Sequence, residues 1–166
     1  MKRLVLACVA LPFLASPALA AKPPWRLVVD GDGASLTNAI PDSDDAATML
    51  QCRTAEGTVT VYLFLETRVA DHLKGAEWVD KAGRTAPWSA RLTVTSGGVT
   101  GAFPAKANPD EQSGGTEVEA TIPASAPVMA AFARTGAIHF TAFGERVKEP
   151  PIPAAKAAGL MRVCRK

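Results

Sequence analysis

The sequence predicts a mainly β chain with minor α content. The expected architecture is an antiparallel β-sandwich-like domain with one short helix and a C-terminal helix tied down by a disulfide. Three observations lead there. Thr58–Leu65 alternates strictly, with Val59, Val61, Leu63 and Leu65 on one face and Thr58, Thr60, Tyr62 and Phe64 on the other; period two is the strand signal. Shorter alternating runs recur at Ala90–Thr95, Glu117–Ile122 and Ala137–Phe143, separated by Gly- and Pro-containing turns. Cys52 and Cys164 stand far apart in a chain that begins like a secreted one.

The amino terminus reads Met1-Lys2-Arg3, then an apolar run Leu4–Leu14, then Ala15-Ser16-Pro17-Ala18-Leu19-Ala20. These are the charged, apolar and Ala-x-Ala parts of a secretory signal peptide. Cleavage is expected after Ala20, so residues 1–20 are the signal peptide and 21–166 a single β-rich domain. The apolar run is too short for a membrane anchor. A lipid attachment at Cys8 is disfavoured because too little apolar chain precedes it. The full chain has 18 Lys+Arg and 16 Asp+Glu. Lys2 and Arg3 leave with the signal, so the mature chain is formally neutral. That removes the electrostatic case for nucleic acid or an acidic membrane surface. No later apolar run is long enough for a transmembrane segment in the mature chain. Cys8 also leaves, and two cysteines in an oxidising compartment most simply make one disulfide, Cys52–Cys164. No Cys-x-x-Cys and no suitably spaced His supports a redox or metal pair.

In order, Trp25–Val29 reads as a strand, Asp30-Gly31-Asp32-Gly33 as a turn, and Ala34–Ile40 as a second strand. Pro41–Asp45 is an acidic turn. It leads into the central hairpin, in which Thr48, Leu50 and Cys52 share a face and Arg53–Gly57 is the loop. Thr67–Trp88 carries Gly75, Gly83 and Pro87, and predicts a loop-rich, mobile stretch with one helical turn at Val69–Leu73. Ala90–Thr95 and Val99–Phe103 are paired strands around Ser96-Gly97-Gly98. Pro104–Thr116 predicts a mobile loop, and Glu117–Ile122 a strand. Ser125 is expected to cap a short helix through Arg134, with Val128 and Phe132 inward and Gly136 as its stop. Ala137–Phe143 is a strand, and Glu149-Pro150-Pro151 a rigid stop. The final helix puts Ala157, Leu160, Met161 and Cys164 on one face. Gly159 costs that helix about 1 kcal/mol relative to Ala.

Few residues carry chemistry. Asp30-Gly31-Asp32-Gly33 lacks the carboxylate near Pro41 and the flanking helices that a calcium loop needs. Asp42, Asp44 and Asp45 read as a solvated turn. His72 and His139 are the only histidines, and no Gly-x-Ser-x-Gly accompanies them. No catalytic residue, metal or cofactor is assigned. Tyr62 and Phe64, with Trp78 and Trp88, form either an aromatic patch for a ligand or partner, or a second small core layer covered by the C-terminal helix.

Leu50-x-Cys52, Thr58-x-Thr60-Val61-Tyr62, a helix–Gly136–strand–Gly144 run and a last Cys164 on a terminal helix resemble small bacterial periplasmic proteins of the VasI/TagO kind. These accompany type VI secretion. The chain is also similar to secreted bacterial proteins with an acidic turn before the first Cys. Gln51 stands where that pattern has a basic residue, and Pro104–Thr116 has no counterpart. The resemblance implies a disulfide-linked β-rich fold in the periplasm and carries over no catalytic residue. The expected function is a non-enzymatic periplasmic binding or accessory module that contacts another envelope protein. The alternative is an envelope hydrolase built around His72 and its neighbouring loop.

Overall fold

The computed structural model describes residues 24–39 and 46–165. The expected signal peptide and the acidic turn Pro41–Asp45 lie outside the described residues. These described residues form eleven strands and two helices. Nine strands make one antiparallel sheet. Its order is β1 (Arg26–Val29), β2 (Gly33–Ala39), β3 (Ala46–Arg53), β4 (Thr58–Leu65), β9 (Thr116–Pro123), β8 (Val99–Pro109), β7 (Trp88–Ser96), β10 (His139–Ala142) and β11 (Glu145–Lys148). β5 (Ala70–Lys74) and β6 (Glu77–Asp80) form a separate hairpin. Helix α1 spans Pro127–Thr135 and α2 spans Ala154–Cys164.

The mainly β expectation and the disulfide hold. The sandwich does not form. One sheet curls into a half-barrel, and helices rather than a second sheet cover its inner face. The reason lies in the strands. Val59, Val61, Leu63 and Leu65 of β4 are buried, as are Val118, Ala120 and Ile122 of β9, and Leu92 and Val94 of β7. Each strand offers one apolar face and needs one covering layer. Val128, Met129 and Phe132 of α1 and Leu160 and Met161 of α2 supply it. α1 packs under β7 and β8, α2 under β1 to β3, and the helices pack on each other.

The sheet is split near its middle. β8 and β9 pair only from Lys106↔Glu119 to Pro109↔Thr116. Ser96 and Val99 flank the two-residue turn Gly97–Gly98. Hydrogen-bonded pairs alternate from there, so Pro104 turns its nitrogen toward β9 and has no proton to give it. The ladder ends there, and α1 packs against the freed part of β8. Pro104 to Pro109 is therefore strand, not mobile loop. Only residues 110–115 connect β8 to β9.

Two other expectations change, and one strand appears where none was expected. The helical turn at Val69–Leu73 is instead β5, paired with β6. Ser125 does not cap α1; Ala126 is the N-cap without a side-chain bond, and Pro127 presets the first turn. β11 was not visible in the sequence before Glu149. It follows a two-residue turn, Phe143 and Gly144, both at positive φ.

β11 and its exit tie the two sides of the curl together. Glu145 accepts hydrogen bonds from Thr67 N–H at 2.8 Å, Thr67 Oγ1–H at 2.6 Å and Glu66 N–H at 3.2 Å. Glu149 is buried and accepts from Asn38 Nδ2 at 2.8 Å and from the Thr48 hydroxyl. Its side chain thus bridges the end of one edge strand to β2 and β3. Burial pushes the Glu145 carboxyl up, but its bonds from Thr67 and Glu66 outweigh this and hold it below the ordinary glutamate value. A depressed carboxyl contributes stability that is present above its unfolded value and lost as pH falls through the folded one. The acid limb of wild-type stability, below about pH 5, is thus expected to be steeper than that of Glu145→Gln. Urea midpoints measured across that range check this; parallel curves would show that Glu145 contributes nothing to it.

Candidate functional site

The residues singled out in the sequence separate in space. Cys52 and Cys164 are joined, with their Cα atoms 5.4 Å apart. Tyr62 and Phe64 share the outer face of β4 and are half-buried. Neither belongs to the core cluster, and α2 packs on the opposite face, so it does not cover them. Tyr62 lies opposite Glu119 and Phe64 opposite Glu117. The Tyr62 hydroxyl accepts from Gln51 Nε2 at 3.3 Å. Burial, then the nearby charges of Glu119 and Asp110, push the Glu117 carboxyl up. Trp88 is 4 % exposed and belongs to the core. Its indole N–H donates to the Arg84 carbonyl at 2.8 Å. Trp78 alone of the two loop-region tryptophans reaches the surface.

The His72 side chain is 62 % exposed and bonds Asp71 through Nδ1 at 3.0 Å. Among the described residues no hydroxyl or thiol is hydrogen-bonded to it. His139 faces away from the aliphatic side of β10, and its Nδ1 is buried without a partner among the described residues. The turn at Asp30 is an ordinary one: its carboxylate accepts from the backbone N–H of Asp32 and Gly33. Among the described residues no group of three or more His, Cys, Asp or Glu side chains converges to hold a metal. No helix there is long and apolar enough to cross a membrane.

The concavity with an aromatic wall lies between the β5–β6 hairpin and the loop 110–115. Its volume is about 360 Å3, within the range of ligand sites. Gly75, at positive φ, opens the two-residue hairpin turn. Leu73 and Trp78 are cross-strand partners, and both line the cleft. Leu73 is 53 % exposed. Asp80, buried at the end of β6, holds the hairpin's exit. It accepts from Arg84 and Ala82 N–H at 2.9 Å and from Arg84 Nε at 2.8 Å. The Arg84 backbone bond foremost keeps its carboxyl low, against the opposing effect of burial.

The facing loop is equally built. Asp110 accepts from the Ser113 hydroxyl and from Gln112 N–H, and the Ser113 bond foremost holds its carboxyl low. Gly114 N–H returns to the Asp110 carbonyl at 2.8 Å. A Cβ on Gly115 would lie 2.0 Å from the Leu65 carbonyl oxygen, so only glycine lets this loop sit against the end of β4.

Trp78 is held from two directions. The Arg68 guanidinium stands 5.7 Å from its ring centroid, a cation–π distance. Its indole N–H donates to Glu111 at 3.2 Å. Arg68 is itself fixed through Nε to the Ala70 carbonyl at 2.9 Å. Sequence reasoning named Trp78 but not Arg68 or Glu111. Glu111 is 33 positions from Trp78, and no local spacing signals that pairing. A second concavity, about 460 Å3, lies near Cys52 and is lined by Asp30, Arg53 and Glu56. Among the described residues that line it, none is aromatic. No family model, no curated protein and no solved structure matches this chain.

Proposed function

We propose that the mature chain is a periplasmic binding or accessory module of the bacterial envelope, without catalytic activity, and that the Trp78 cleft is its working surface. The observation that carries this is the cleft itself. An indole fixed by Arg68 and Glu111 at the mouth of an apolar slot is arranged to hold a ligand in one orientation. The location rests on the secretory signature at residues 1–20 and is supported by the Cys52–Cys164 disulfide, a bond characteristic of oxidising compartments. A place beside the type VI secretion machinery follows only from the short motifs described above, and is analogy. The hydrolase alternative keeps one favouring observation, the Asp71–His72 hydrogen bond of 3.0 Å.

The test starts from the whole chain expressed in a Gram-negative host. Periplasmic material is expected to begin at Ala21 by intact mass; a retained Met1 sinks secretion, and a lipid on Cys8 sinks cleavage after Ala20. In-cell cross-linking is then compared between wild type and Trp78→Ala. A partner held through this cleft is expected to lose about tenfold in recovery. Unchanged cross-links would show that no protein partner is held through this cleft.

A further inference from the structure

We infer that the Trp78 cleft takes a neutral saccharide. The inference deepens the reading of this cleft as the binding surface and rests on it. The walls decide the body of the ligand. Leu73, Trp78 and Pro109 are apolar, and Ala70, Gly114 and Gly115 add no polar side chain. A ligand seated here must present an apolar face to an indole.

The rim decides its charge. Arg68 stands on one side, and Asp110 and Glu111 line the other. An anion would meet two carboxylates, and a cation would meet a guanidinium held against the ring. The rim sets both signs beside any charged ligand, and Asp110 is already occupied by Ser113 and Gln112, so the fitting ligand is neutral.

The spare polar atoms decide its functional groups. Arg68 spends Nε on the Ala70 carbonyl, and its two Nη groups have no partner among the described residues. Glu111 spends one oxygen on the indole N–H; the other has no partner among the described residues. The site therefore offers strong donors and a strong acceptor around an apolar floor. A hydroxyl is a donor and an acceptor at once. A pyranose ring combines a C–H face for the apolar floor of Leu73, Trp78 and Pro109 with a rim of hydroxyls for Arg68 and Glu111. Arg68 is anchored through Nε before the ligand arrives, which lowers the ordering cost of binding. The ring has two sources, a free sugar or a unit of a glycan chain, and the chemistry of the cleft is the same for both.

The chain's three tryptophans make the site readable. Trp25 and Trp88 are 3 % and 4 % exposed, whereas Trp78 is only partly buried. A ligand in the cleft is expected to blue-shift the emission of the mature, oxidised protein through Trp78. The probes are methyl glucoside, a trimer of N-acetylglucosamine, glucuronate, glucosamine and a blocked neutral tripeptide. Calorimetry provides the affinities, so that variants lacking the indole are also measured. At least one neutral sugar is expected to bind with Kd on the order of 1 mM, and more tightly than glucuronate or glucosamine. Trp78→Ala is expected to abolish binding and Trp78→Tyr to keep part of it. Arg68→Gln and Glu111→Gln should each weaken binding about tenfold, with thermal melting unchanged as the control for folding. A trimer bound well above the single ring identifies a glycan chain as the source; equal affinity identifies a free sugar. No response to either neutral sugar, or sugar binding unaffected by Trp78→Ala and Arg68→Gln, overturns the inference. Tripeptide binding through Trp78 without any sugar binding also overturns it, while leaving the cleft as the working surface.

Discussion

Replacing Cys164 or Cys52 with serine is expected to lower the stability of the mature domain by about 2–5 kcal/mol and to unfasten α2 before the sheet. The bridge spans 112 positions, and long loops gain most from closure in the chain-entropy account. Helix α2 depends on it for local reasons as well. It has 11 residues and no side-chain N-cap. Helices of that length are marginal on their own, and Gly159 lies in its interior. A Cβ at Gly159 would come within 2.8 Å of Leu27 Cδ2, so the helix trades propensity for close contact with β1. Its last carbonyls are satisfied by the β3–β4 loop: Ala55 N–H donates to Val163 at 3.0 Å and Gly57 N–H to Cys164 at 2.9 Å. The disulfide sits at that junction and holds loop and helix end in register. Amide exchange in the serine variants is expected to rise first across Ala154–Cys164, with Thr58–Leu65 still protected. Two titratable thiols in the folded, air-oxidised protein would refute the bridge. A variant whose α2 stayed fully protected would refute its role in docking.

Gly136→Ala is expected to cost about 3–5 kcal/mol, at the severe end for a single methyl group. Gly136 ends α1 in the left-handed conformation at φ 67° and returns its N–H to the Phe132 carbonyl. Left-handed backbone alone costs a non-glycine residue about 1–2 kcal/mol. Steric collision adds more than that. A Cβ there would lie 1.8 Å from the Ile152 carbonyl oxygen, a backbone atom in the segment that leads into α2. Ile152 N–H donates to the Gly136 carbonyl at 3.0 Å, and Ile152 is itself in the core. Relieving the collision means moving that segment, and with it the packing between α1 and α2. Gly98→Ala separates the two contributions. Gly98 has φ 81° but open space where its Cβ would stand, so it should show only the conformational cost of about 1–2 kcal/mol. Chemical denaturation of both variants measures the difference. Equal losses would mean that the Ile152 segment yields freely and that no tight contact links the helices there.

How much of this was legible depended on how each segment meets the core. The alternation of Val59, Val61, Leu63 and Leu65, the inward face of Ala157, Leu160, Met161 and Cys164, and the stop at Gly136 were all readable. In the first two, one face of a single element packs against the core and burial imposes a period on the chain; the third is readable because a left-handed helix end calls for glycine. The hairpin of β5 and β6 was not readable. Four of the five residues of β5 are exposed, so no burial imprints an alternation. β11 is a four-residue edge strand, too short for a pattern. The Trp78 cleft was named only by its indole. Arg68 and Glu111 come to it from outside its own hairpin.

The sequence by itself determined that this chain is mainly β, that Cys52 and Cys164 are the pair available for a disulfide, and which side of β4 and α2 faces inward. Those properties follow from local periodicity and from composition. Tertiary structure alone decided that the strands join into one curled, split sheet rather than two facing ones. It also decided that Glu149 is buried against Asn38 and Thr48, partners 111 and 101 positions away. It buried Trp88 and left Trp78 at a cleft, although the two stand in the same loop-rich stretch. The physical reason is common to all three. Curvature, long-range hydrogen bonds and the choice of which aromatic is covered depend on what packs against a segment, and that neighbour is set by the whole chain rather than by the residues beside it.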